Sequence, residues 1–265
     1  MLFSLFLGCA AQAATFEPQW GRHGMVVTSV GPAAAAGEAV LEKGGNAVDA
    51  GIATAFTAAV AHPFSSGLGG GLLAVVHDAK TGETRSLDAR EVAPAAATKE
   101  WYEKNPQSIR MGPYAVGVPG MVQGLWALHQ EYGSMPWKDL IDPAIELAEQ
   151  GVEVSIWHHS MVTRVEETLK DFPETRRIQT VDGLAPALGW KVVQKDLANT
   201  LRQIQQKGGQ ALAVWPIAKK IEDATGGVVT ATGALMLPAE AGPGYAAGEL
   251  KAGESVTLTF NVIVQ

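Results

Sequence analysis

Residues 44–63, GGNAVDAGIATAFTAAVAHP, contain the clearest helix signals of the chain. Asn46, followed three residues later by Asp49, is the pattern of a helix N-cap. Small and apolar side chains surround the predicted helix, 47–61, on every side, which is typical of a helix buried closely against a sheet. His62-Pro63 ends it, because a proline disfavours helical backbone in the residue before it.

On both sides of this helix, the sequence predicts a mixed α/β protein with strands early and helices later. Turn residues at 79–82 between two β-type runs predict a hairpin over about 72–89. Strand composition over 25–30 and alternating apolar residues over 255–264 predict two more strands. Apolar periodicity, prolines and glycines predict helices at 33–43, 119–132, 143–150, 155–169 and 195–207. Residues 231–253 have the composition of a linker.

The composition excludes several classes of protein. Of the 265 residues 47% are hydrophobic and 18% charged, which is too apolar for a disordered chain. The net charge is −7 and the isoelectric point is about 5.4, so we expect no nucleic-acid partner. No segment reaches the length of about 18 apolar residues that a membrane span needs. The chain is long enough for one large domain or two small ones.

The N-terminus predicts export. An apolar stretch and the pattern Ala11-Gln12-Ala13 indicate a signal peptide over residues 1–13, and therefore a periplasmic or secreted protein. A buried N-terminal strand is the weaker interpretation, and a lipid anchor at Cys9 fits less well still. Cleavage after Ala13 would leave no cysteine, so neither a disulfide nor a cysteine nucleophile is expected.

For most residues that could bind a ligand or a metal ion, a purely structural role is the favoured interpretation. The glycine loop 67–71 could hold a phosphate, but it lacks the Lys-Ser/Thr of a P-loop and precedes a strand, so close backbone packing is favoured. Adjacent helical residues such as His158 and His159 cannot face one metal ion, and no metal site is predicted. Glu166-Glu167 is most simply a solvated face.

Arg90 is the one candidate binding residue. It follows directly on the predicted strand 83–89, where a strand end can project a guanidinium into a cleft. Arginine binds a carboxylate through two parallel hydrogen bonds, a geometry that lysine cannot reproduce. The alternative is a structural ion pair with Asp88 or Glu91, and the spacing alone favours that alternative.

Several motifs in register carry a family resemblance from about residue 21 to about residue 229. They are 44–50 (GGNAVDA), 62–63 (HP), 68–71 (LGGG), 88–94 (DAREVAP), 117–120 (GVPG), 132–133 (YG), 143–144 (PA), 148–151 and 226–227 (GG). Together they resemble the γ-glutamyltransferases, the glutathione hydrolases of the N-terminal nucleophile hydrolase superfamily. The resemblance implies the helix-rich large-subunit portion of an α-β-β-α sandwich. Residues 231–265 do not take part in it.

The resemblance also implies a chemistry. In this family a precursor cuts itself into two subunits, and the N-terminal threonine of the small subunit attacks the γ-glutamyl carbonyl, with its own α-amine as base. The γ-glutamyl group then passes to water or an amino acid, and no metal or organic cofactor is needed. The arginine in the D-x-R-E-x-A-P pattern binds the α-carboxylate of the substrate, which implies that role for Arg90.

No threonine of this chain matches the nucleophile, since Thr230 and Thr232 lie in the linker-like segment. We therefore expect no catalytic residue here, and no hydrolase or transferase activity from this chain alone. Glutathione-like substrates and a small-subunit chain are the implied partners. A non-catalytic protein that binds γ-glutamyl groups or amino acids, or a gene fragment without independent function, are the alternatives. Self-association through an uncovered sheet is a further expectation.

Overall fold

The computed structural model describes residues 20–93, 98–106, 115 and 117–212. The signal peptide predicted at 1–13, Thr230, Thr232, the linker-like segment and the strand predicted at 255–264 lie outside these residues. The helices are α1 (Gly31–Glu42), α2 (Ala47–Ala61), α3 (Lys99–Lys104), α4 (Met121–Tyr132), α5 (Trp137–Gln150), α6 (Ile156–Val165), α7 (Pro173–Gln179) and α8 (Lys195–Lys207). The strands are β1 (Leu72–Asp78), β2 (Glu83–Ala89), β3 (Val152–Glu153) and β4 (Lys191–Val192).

Helix α2 lies at the centre of the molecule, with the bounds that the sequence predicts. Ile52, Phe56 and Val60 are buried completely or almost so. Among the described residues α2 makes its main contacts with the helices α1, α5 and α4, whereas its composition predicts a sheet as its partner. That expectation was wrong because small side chains permit close approach of any partner, and amphipathic helices supply the apolar faces here.

The predicted N-cap of α2 is confirmed and also links distant parts of the chain. Asn46 accepts hydrogen bonds from the backbone of Val48 and Asp49, at 2.8 and 3.0 Å. The Asp49 carboxylate is fully buried and accepts hydrogen bonds from the backbone of Asn46 and of Ser134. Asn46 Nδ2 donates to the Tyr132 carbonyl at 2.6 Å. The start of α2 is therefore fastened to the turn between α4 and α5.

The described residues form two small antiparallel sheets. Strands β1 and β2 make the predicted hairpin, with Leu72 opposite Ala89 and Asp78 opposite Glu83. Strands β3 and β4 pair over two residues each. The base of the hairpin packs against α4, and its far end is exposed to solvent. The mixed, helix-rich class is therefore as predicted.

Three predicted elements differ in extent. Residues 25–30 form no strand with any described residue, and Val27 is 83% exposed. Helix α5 starts six residues before the prediction, because the buried Trp137 and Leu140 secure the turn ahead of Pro143. The helix predicted at 155–169 ends at Val165 and a 3-10 turn follows at Thr168–Asp171.

Candidate functional site

Arg90 lies immediately after β2, at the base of the hairpin. The preceding residue, Ala89, is buried and anchors the end of the strand. The Arg90 backbone N–H donates to Asp88 Oδ1 at 2.9 Å, which turns the chain at this point. The Arg90 side chain is 40% exposed. A firmly held backbone thus presents a guanidinium that solvent and a ligand can reach.

The guanidinium pairs with Glu91 and not with Asp88. Arg90 Nη2 donates to Glu91 Oε1 at 2.9 Å, and the Glu91 side chain is only 11% exposed. Glu91 Oε2 is buried and has no hydrogen-bond partner among the described residues. Only Nη2 of the Arg90 guanidinium is engaged within the described part of the chain. The remaining N–H groups can therefore receive a second carboxylate.

The low exposure of the Glu91 side chain is the feature of the site that the sequence did not predict. Adjacency to Arg90 made Glu91 a candidate ion-pair partner, but spacing does not show which carboxylate lies in the interior. The only signal in the sequence is the pair of glycines Gly71 and Gly117, since small residues permit a buried side chain beside them. In the structure both glycines lie against Glu91.

The glycine loop is packed against this site. Gly70 accepts hydrogen bonds from the backbone N–H groups of Gly120 and Met121, both at 3.0 Å. The N–H groups of the N-cap and of the first residue of α4 are thereby bonded to the loop, which leaves these two unavailable to a phosphate. Gly71 packs against the Arg90 backbone. The geometry agrees with close backbone packing, the interpretation that the sequence favoured.

The adjacent histidines make separate contacts, as their spacing predicts. His158 is buried, and its ring packs against Phe64 in a T-shaped arrangement with the ring centroids 4.7 Å apart. Its Nε2 lies 3.2 Å from Gln179 Oε1. Burial lowers the pKa of His158. His159 Nδ1 lies 2.8 Å from the Pro186 carbonyl. Within the described ranges no cluster of three or more His, Cys, Asp or Glu side chains is arranged to hold a metal ion.

The two adjacent glutamates differ from the solvated face that the sequence predicted. Glu167 is exposed and pairs with Lys170 at 2.6 Å. Glu166 is half-buried and accepts a hydrogen bond from the Ala185 backbone at 2.7 Å. Its role is therefore structural.

No helix in the part of the chain that the structure describes is both long enough and apolar enough to cross a membrane.

Comparison with known proteins gives a consistent result. The family model described as gamma-glutamyltranspeptidase matches residues 33–232. Glutathione hydrolase 3 of Arabidopsis thaliana is 33% identical over 231 residues, which cover 86% of this chain and 35% of the relative. The glutathione hydrolase proenzyme of Bacillus subtilis strain 168 is 36% identical over 77% of this chain and 35% of its own length.

Structure comparison agrees with the sequence matches. The crystal structure of Helicobacter pylori gamma-glutamyltranspeptidase superimposes with a TM-score of 0.76 at 36% identity, over 81% of this chain and 64% of that one. The helix-rich α/β portion of an N-terminal nucleophile hydrolase is thus the fold of this chain. The chain spans about a third of the length of the curated relatives that it matches. By sequence and by structure, it belongs to the gamma-glutamyltranspeptidase family.

Proposed function

We propose that this chain supplies the γ-glutamyl-binding part of a glutathione hydrolase, and that Arg90 binds the α-carboxylate of the γ-glutamyl group. The observation that carries the proposal is the half-exposed guanidinium, of which one N–H group pairs with the largely buried Glu91 side chain and the others have no partner among the described residues. Membership of the family supports the same assignment, because Arg90 stands in the motif that the family resemblance links to the substrate carboxylate.

The geometry suits recognition of a carboxylate. Glu91 Oε1 restrains the guanidinium through a charge-assisted hydrogen bond. A planar guanidinium with a fixed orientation can accept a substrate carboxylate along a second edge, through two parallel N–H donors. Because the buried carboxylate is close to the cation, the pair has no net charge, and directional hydrogen bonds would determine selectivity more than long-range attraction.

Acyl transfer would need groups that this chain does not offer. The family resemblance implies a threonine nucleophile on a small subunit, and no threonine here stands in a matching pattern. We therefore propose that the chain by itself neither hydrolyses nor transfers γ-glutamyl groups. A small-subunit chain would complete the site and act on glutathione-like amides through a γ-glutamyl-threonine intermediate.

The remaining assignments are proposals of the same standing. Residues 21–229 form the large-subunit-like region, residues 1–13 are a signal peptide for export to the periplasm or outside the cell, and residues 231–265 have the sequence of a linker followed by a strand. Relatives named as glutathione hydrolase proenzymes support the first of these. Within the described residues neither outer edge of the β1–β2 hairpin is paired, which supports self-association of the chain on its own.

Calorimetric titration of the purified chain with L-glutamate tests the proposal. We expect binding that Arg90→Ala abolishes and Arg85→Ala leaves unchanged, since Arg85 is an exposed arginine of β2, the strand before Arg90, and pairs with Glu83 and Glu131. An assay with γ-glutamyl-p-nitroanilide should show no turnover. Equal binding by the wild type and Arg90→Ala would refute the role of Arg90, and clear turnover would refute the missing nucleophile.

A further inference from the structure

We propose that Gly71 and Gly120 are positioning residues for Arg90. Because neither has a side chain, their two backbone segments pack directly against the Arg90 backbone and determine where it lies. The inference rests on the proposed function, in which Arg90 binds the substrate carboxylate. It concerns how the backbone around Arg90 is located, which the motif itself does not explain.

Gly71 presses on one side of the Arg90-Glu91 peptide. A Cβ atom at Gly71 would lie 2.5 Å from Arg90 Cα and from Glu91 Oε2, and 2.6 Å from the Glu91 backbone nitrogen. Real Cβ atoms essentially never approach a neighbour within 3.0 Å. Two of the three atoms belong to the backbone, so rotation of a side chain cannot relieve the overlap.

Gly120 presses on the preceding peptide. A Cβ atom there would lie 2.8 Å from the Arg90 carbonyl oxygen and 2.9 Å from the Ala89 carbonyl carbon. Gly120 N also donates to the Gly70 carbonyl at 3.0 Å, which joins the two glycine segments to each other. Residues 89–91 are therefore held between two segments that are linked by a hydrogen bond.

The requirement for glycine comes from this close approach and not from backbone conformation. Gly120 has φ −108° and ψ −20°, which any residue adopts. Gly71 is not among the glycines with positive φ. A positive φ therefore does not oppose alanine at either position, and the cost of alanine comes from its overlap with residues 89–91.

The displacement is large enough to matter for recognition. Ordinary van der Waals contact starts near 3.4 Å, so alanine at Gly71 must separate the glycine loop and the Arg90 backbone. The shift is about 1 Å, and misplacement of that size can reduce the performance of a site by about 100-fold. We expect Gly71→Ala to weaken L-glutamate binding at least about tenfold, because the guanidinium no longer meets the α-carboxylate in plane.

A control exists in the same loop. A Cβ atom at Gly69 would meet no described atom within 4 Å, and the φ of Gly69 is not positive. Gly69→Ala therefore changes the loop composition equally without touching Arg90. Gly117→Ala is a milder test variant, since the nearest atoms to its Cβ would be Glu91 Cβ and Cγ at 3.0 Å and the Val92 carbonyl oxygen at 3.4 Å.

The experiment has two arms on the purified chain. In the first, calorimetry compares the affinities for L-glutamate and for 4-aminobutanoate, which lacks the α-carboxylate. Gly71→Ala and Gly120→Ala should lower the preference for L-glutamate, whereas a general loss of structure would weaken both ligands alike. In the second arm, the NMR signal of the Arg90 side-chain N–H, assigned by its loss in Arg90→Lys, should move in these variants and stay in place in Gly69→Ala.

The outcomes separate the two proposals. Failure of the wild-type chain to bind L-glutamate refutes the proposed function, and the NMR arm alone then decides the positioning role. An unmoved Arg90 signal with an unchanged ligand preference in Gly71→Ala overturns that role. If Gly71→Ala and Gly120→Ala do not fold, Gly117→Ala decides, with a smaller shift supporting the role and no shift refuting it.

Discussion

Replacement of Asp49 by alanine should destabilise the chain more than replacement of any partner of this carboxylate. The fully buried carboxylate accepts hydrogen bonds from the Asn46 backbone at 3.0 Å, from the Ser134 backbone at 3.0 Å, and from the Ser134 hydroxyl. A hydrogen bond to a charged group contributes about 1.5–3 kcal/mol. Ser134 is exposed, so water replaces part of what its two donors lose.

The net loss for Asp49→Ala should therefore be about 3 kcal/mol, below the gross sum of three such bonds because a buried charge also disappears. For a domain of this size each kcal/mol lowers Tm by about 2–4 °C, which gives a decrease of about 6–12 °C. Differential scanning calorimetry at pH 7 measures it. Ser134→Ala removes a single hydroxyl and should cost about 1 kcal/mol.

The matched control is the exposed acidic residue Glu38 on α1, whose replacement by alanine should leave Tm within experimental error. The reasoning fails if Asp49→Ala costs no more than Ser134→Ala. In that case the fastening between the start of α2 and the α4–α5 turn would contribute nothing beyond an ordinary surface contact.

Two further predictions concern the interior. Burial lowers the pKa of His158 from 6.5 in the folded state, so the unfolded chain binds the proton more readily and stability falls as the pH drops through and below 6.5. His158→Gln should flatten this pH dependence in urea denaturation between pH 7 and 5, whereas substitution of the exposed His23 should not. Equal curves for His158→Gln and the wild type would contradict the assignment. Leu140→Ala should lower the free energy of unfolding by about 2–5 kcal/mol, because the Leu140 side chain is fully buried on α5. Leu184 is 63% exposed, so Leu184→Ala should lower it far less. Equal losses would show that α5 is not part of the core.

Local sequence rules correctly predicted those elements whose ends are set by capping, proline, glycine or turn residues next to them. The N-cap at Asn46 and the proline at Pro63 define α2 to the residue, and Gly208 ends α8 where the helix pattern predicts. The turn at 79–82 likewise defines the hairpin. In each case the determining groups lie within a few residues of the boundary, so no tertiary information is needed.

Features set by distant parts of the chain could not be predicted in this way. The early start of α5 depends on burial of Trp137 against α2 and α8, and Trp137 Nε1 donates to the Ile204 carbonyl 67 residues away. The candidate site shows the same limit. Arg90 stands out from its motif, but the burial of Glu91 and the contact with Gly71 arise only when the loop and the hairpin base meet.

The exposure gradient along the hairpin has a consequence for amide hydrogen exchange. Leu72, Leu87 and Ala89 are buried at the base, whereas residues 83–85 at the far end are exposed. The far end can therefore open without unfolding α2, and its amides should exchange many times faster than those of the helices. Arg90 lies where the protected region begins. A ligand held there would slow exchange from the base outward, so protection would record occupancy of the site without any chemical turnover.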